Sequence, residues 1–146
     1  MIVIIVLVGA LLGFRVAGAL GVAAFATWVA STRWALAAMF LFTGVAHFTS
    51  AKHGMAPMVP AAFGNPMAMV YFTGACEIAG AIGLLLPRTR AAAGLCLILL
   101  LIAMFPANVK AARENMMVAG RPATALWLRA PMQVGFIALL WWASRY

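Results

Sequence analysis

Aspartate is missing from this sequence, and glutamate occurs only at Glu77 and Glu114. A chain this poor in carboxylates has little material for chemistry that depends on them. Phosphoryl transfer uses acidic groups to hold Mg²⁺, and glycoside hydrolysis uses a carboxyl pair. Common catalytic signatures are missing as well: there is no GxSxG, Walker loop, GxGxxG or HExxH. Charge of either sign is scarce, at 8% of residues, where an ordinary soluble domain carries about 25%.

Hydrophobic residues make up 67% of the 146 positions, more than a soluble domain of this size could hide in its own core. The solvent it implies is a lipid bilayer. A net charge of +8 could suggest nucleic acid, but the ten basic residues are scattered between apolar runs and form no basic face. In a membrane protein they belong at the headgroups or set topology. Met1 opens an apolar run with no basic stretch before it, which favours a retained membrane segment over a signal peptide.

Five hydrophobic stretches are legible. The first covers Ile2 to about Ala30, with Arg15 inside it and a weak point near Gly18; the second is Trp34 to Phe48. Glycine and proline break up a connector over 49–66. The third stretch is Met67 to Leu86, with Leu84, Leu85 and Leu86 able to meet lipid. The fourth runs from near Ala91 toward Ala119, with a kink expected at Pro106 and a Lys110–Glu114 pair beyond it. The fifth is Ala123 to Ala143, where Pro131 separates a surface segment from the span proper. Trp127, Trp141, Trp142 and Tyr146 sit where interface anchors would. The expected architecture is an all-α membrane protein: a bundle of four core transmembrane helices in 31–146 plus an extra N-terminal helix in 1–30.

Glu77 lies near the centre of the third stretch, where a carboxylate is costly unless compensated. Thr73, Gly74, Gly80 and Ala81 share its helix face, and small residues let a neighbour approach closely. It is expected to point into the bundle. Arg15 falls at a similar depth if residues 2 to 30 form one helix, so an Arg15–Glu77 ion pair is one solution. A second polar group gathers toward the connector: Thr43 and His47 on one helix face, Asn108 beyond Pro106, and Arg129 and Gln133 at the start of the last span. Such convergence reads either as a ligand vestibule or as side chains that satisfy broken helix ends. Glu77 and His47 are the candidate proton-transfer groups; Thr43, Thr73, Asn108, Arg129 and Gln133 are the candidate ligand contacts.

Methionines around His53 could suit Cu(I), but no repeated Met motif or CxxC accompanies them, so no metal site is assigned. Cys76 lies thirteen residues before Thr89 and Cys96 seven after it. Across an antiparallel turn they would differ in depth by roughly 9 Å at 1.5 Å per residue, too far for a disulfide. The small residues Ala75, Ala79 and Gly83 form a stripe suited to an internal neighbour or a second copy of the chain.

Four motifs, "FTGVAHF", "TGACEIAGAIGLLLPRTR", "LLIAMFPANVKAA" and "GRPATALWLRAPMQVGFIALLWWAS", in this order over about Arg33 to Ser144, resemble the DoxX-like family of small bacterial membrane proteins. The first thirty residues add a span to that family's four-helix core. The resemblance implies a multi-pass protein of the bacterial cytoplasmic (inner) membrane. It also implies a subunit that supports redox or oxidative-stress chemistry with partner proteins and a quinone-like ligand. On the matching motifs, His47, Glu77, Pro106, Asn108, Arg129 and Gln133 are the positions to test. Two other functions fit the residues: a self-sufficient isomerase or cyclase acting on a lipidic substrate by acid catalysis, and a scaffolding subunit. Arginines tight against the Arg88–Arg90 turn and at Arg145 lean the C-terminus toward the cytoplasm.

Overall fold

The computed structural model describes residues 2–118 and 120–146. Its elements are helical apart from one minimal hairpin: α1 (Ile2–Ala19), α2 (Trp28–Ala46), α3 (Lys52–Met55), α4 (Pro66–Leu85), α5 (Arg90–Arg113), β1 (Met117–Val118), β2 (Arg121–Pro122) and α6 (Leu126–Arg145). α1, α2, α4 and α5 are long and apolar enough to cross a membrane. α6 matches them in length but is not one of the four, because Arg129, Gln133 and the Ser144–Arg145 end dilute its apolar residues.

Local chemistry sets the helix starts. Thr27 caps α2 by accepting from the Ala30 amide at 3.1 Å. Asn65 caps α4 by accepting from Met67 and Ala68 at 3.0 and 3.2 Å, with Pro66 at the first helical position, where its missing N–H costs nothing. α2, α4, α5 and α6 close into a ring in which each packs on the next, and α1 lies against the outer side of α2. The core runs along the ring axis through Leu36, Phe40, Leu84, Leu97 and Leu140.

The structure departs from the sequence reading in several places. The first stretch is not one thirty-residue helix: α1 ends at Ala19, Gly21 turns the chain at φ 100°, and a 3₁₀ turn over Ala23–Phe25 leads into α2. Leu84 is fully buried rather than lipid-facing, since it shares a face with Glu77 and Gly80; Leu86 does lie exposed. α6 runs unbroken through Pro131. The carbonyl that Pro131 cannot serve belongs to Trp127, which is highly exposed and so keeps other partners within reach. Lys110 does not pair with Glu114; its Nζ donates to the Pro57 carbonyl at 2.7 Å and ties α5 to the connector.

The α2–α4 contact is the tightest for the site. A Cβ on Gly44 would come within 2.8 Å of Ile78 and 3.2 Å of the Glu77 Cβ. A Cβ on Gly74 would come within 2.5 Å of the His47 Cβ and 3.0 Å of the Phe48 ring. Only hydrogen fits at either position, and this approach carries Glu77 against the last turns of α2.

Candidate functional site

Glu77 lies in the middle of α4 and is 5% exposed. Its face is set by the helical period: Gly74, Gly80, Ala81 and Leu84 point the same way and are all buried. The Ala75 and Ala79 side of the helix is exposed. α2 supplies what stands next to the carboxyl. The Thr43 hydroxyl lies beside it, and His47 Nδ1 is 3.9 Å from Oε2.

That 3.9 Å separation is too long for a hydrogen bond. His47 Nδ1 lies 2.8 Å from the Thr43 carbonyl. A carbonyl only accepts, so Nδ1 carries the hydrogen and spends it there, leaving Nε2 as the acceptor of the neutral ring. Glu77 Oε2 is therefore fully buried without any hydrogen-bond partner. Such orphaned oxygens are rare in folded proteins.

The carboxyl lines a partly open cavity of about 140 Å³. Apolar cavities of roughly that size accept a single benzene-sized ring. Thr43 comes from α2, Asn108 from α5, and Arg129 and Gln133 from α6, so four of the five expected ligand contacts lie on its wall with Glu77. Gln133 Nε2 donates to the Leu101 carbonyl at 2.9 Å, next to the backbone position that Pro106 disturbs. Arg129 forms no hydrogen bond and no ion pair within 4 Å among the described residues. Glu77 and Arg129 thus line one cavity and form no ion pair with each other.

Three expected residues do not line this space. Thr73 turns its hydroxyl to the Met69 and Val70 carbonyls of its own helix, at 3.0 Å each. His47 stands behind Glu77, and its contact with Gly74 keeps it off the cavity wall. Arg15 does not pair with Glu77. With α1 ending at Ala19, Arg15 lies in its last turns instead of at mid-depth, and its Nη1 donates to the Phe25 and Ala26 carbonyls, both at 2.9 Å. Its guanidinium also stacks 4.7 Å from the Trp28 ring centre. Arg15 staples the α1–α2 turn. Because Arg15 and Glu77 share no partner, Arg15→Leu and Glu77→Gln should change detergent stability additively, within about 0.5 kcal/mol. A double-mutant coupling above that, read from thermal melts, would restore the ion pair.

The apolar walls were not anticipated. Leu101 and Met104 stand seven and four residues before Asn108; Met132 and Phe136 stand three and seven after Arg129. Extending each polar residue along its own helix face would have found them. Val3, which brings α1 into the wall, had no such signal. Cys76 and Cys96 are both free thiols.

A family model described as a domain of unknown function (DUF8561) matches residues 36–145, which spans the ring α2, α4, α5 and α6 except for the first turns of α2. No curated protein and no solved structure matches the chain.

Proposed function

Since the chain belongs to the DUF8561 family, whose description assigns no activity, we propose its role from the site: an integral membrane subunit that holds the ring-sized polar head of a hydrophobic, quinone-like molecule beside Glu77. The observation that carries this reading is a cavity-lining residue, Glu77, whose buried Oε2 has no hydrogen-bond partner. A bound group that donates to Glu77 and accepts from Arg129 would satisfy both, as one quinol face could. Met104, Met132 and Phe136 would enclose the ring, and the tail would leave between helices into lipid. The five long helices would cross the bilayer, with exposed Trp127 at one end of the bundle and Trp28, Trp141 and Trp142 at the other serving as interface anchors.

In this role Glu77 exchanges a proton with the oxygen it contacts, Asn108 orients the head, and electrons come from partner proteins; Thr43 lines the wall with its hydroxyl hydrogen directed to the Met39 and Phe40 carbonyls. The redox part rests on the resemblance of the sequence motifs to the DoxX-like family, as does placement in a bacterial cytoplasmic membrane. Phe40 and Phe136 on the same wall also favour a second reading, in which Glu77 protonates an alkene and aromatic faces stabilise the cation. Turnover of a lipidic substrate by the purified protein without an electron donor would select that reading.

Photo-crosslinking with an azidoquinone in native lipid tests the site. Glu77→Gln and Arg129→Gln should each lower specific labelling about tenfold, equivalent to about 1.4 kcal/mol. Thr73→Val, outside the cavity, should leave it unchanged. Equal labelling in all four proteins, wild type included, would remove the quinone reading.

A further inference from the structure

Opposite the connector lies a second polar centre that this ligand reading does not use. Arg33 sits inside α2 and is only 8% exposed. Its Nε donates to the Ala143 carbonyl of α6 at 2.9 Å. The terminal amino groups of the same guanidinium have no hydrogen-bond partner among the described residues. Arg90 is the first residue of α5, one helical turn before Gly94. The Arg90 Nε is itself buried and unpartnered.

Neither guanidinium forms an ion pair within 4 Å among the described residues. The two side-chain carboxylates stand elsewhere, Glu77 at mid-bundle and Glu114 past the far end of α5. The start of α5 compounds the deficit. Thr89 does not cap it, because its hydroxyl donates back to the Gly83 carbonyl at 3.0 Å. The amides of Ala91 and Ala92 are thus left open beside Arg90, at the positive end of the helix dipole. Gly94 packs directly on Ser144, which brings Ala143, and with it Arg33, to this first turn. Two arginines and open helix amides are the groups from which phosphate sites are built.

We propose that a phosphate group docks at the start of α5 between Arg33 and Arg90, supplied by the headgroup of an anionic phospholipid. The site lies at an end of the bundle, where a headgroup can reach it while its acyl chains stay along the helices. Its residues are distinct from those of the quinone-like cavity, so either proposal can fail alone.

Native mass spectrometry of the full chain, released from micelles doped with phosphatidylglycerol, phosphatidylcholine or inorganic phosphate, provides the test. The wild type should retain phosphatidylglycerol at least fivefold more than phosphatidylcholine. Arg90→Gln, at a half-buried position, should lose that preference, and Arg33→Gln should do the same if its circular dichroism shows a native helix content. Arg113→Gln, at the other end of α5, should keep it. Retention of inorganic phosphate that depends on Arg90 would keep the site and make its ligand a soluble phosphate. Phosphatidylglycerol retention unchanged in Arg90→Gln would overturn the proposal.

Discussion

Gly74→Val is expected to lower the thermal midpoint in detergent by on the order of 10 °C, for a loss of about 3 kcal/mol. The cause is a collision that no rotamer avoids. The first added carbon would sit 2.5 Å from the His47 Cβ, an atom fixed to the α2 backbone, and 3.0 Å from the Phe48 ring. The helices must separate, which breaks the small-residue contact that holds α2 and α4 together. Gly135 on α6 provides the control, since a Cβ there meets nothing within 4 Å. Gly135→Ala should be neutral or stabilising by up to about 1 kcal/mol, the usual advantage of alanine over glycine in a helix. Gly74→Ala should destabilise. If the two alanine variants shift melting in the same direction, the close α2–α4 approach is wrong.

Met132→Trp is expected to abolish azidoquinone labelling, at least tenfold below wild type, while the helix bundle still melts cooperatively. Met132 lies on the cavity wall one turn from Arg129 and next to Gln133. A larger ring there occupies the space that the ligand head would fill but removes no polar group. Overpacking costs typically about 1–3 kcal/mol, and a partly open cavity puts this substitution at the low end. The variant thereby separates two explanations that Glu77→Gln alone leaves mixed. If the polar residues serve only to bind helices to one another, occlusion leaves partner-dependent function intact. Full labelling and function in Met132→Trp would favour the scaffold.

Much of this arrangement could be read before any coordinates. Glu77 stands out because a carboxyl in a long apolar run has few affordable orientations, and its small neighbours point it inward. Asn108, Arg129, Gln133 and Thr43 were legible as a group for the same reason, since polar side chains near lipid gather where they can be satisfied. The misplacements share another cause. Arg15 was judged by depth along an assumed helix, and a turn at Gly21 moved that helix's end before depth could matter. Thr73 shares a coarse helix face with Glu77, yet its hydroxyl is absorbed by its own backbone. His47 is close to Glu77 in space, but its one Nδ1 hydrogen is already committed to Thr43.

Arg33 shows the boundary most clearly. As a residue it is only one more positive charge at the edge of a hydrophobic stretch. Burial against Ala143, beside the first turns of α5, exists only once α2, α5 and α6 have met.

From its sequence alone, this chain was committed to long apolar helices, to proline and glycine interruptions, and to a few polar groups that must turn inward. Hydropathy and backbone geometry act over a handful of neighbouring residues, so they can be read locally. Which polar groups meet was decided by the rotation and spacing of packed helices. A turn of 100° per residue and a missing Cβ at Gly44 or Gly74 select partners tens of residues away, and only the folded bundle reveals that choice.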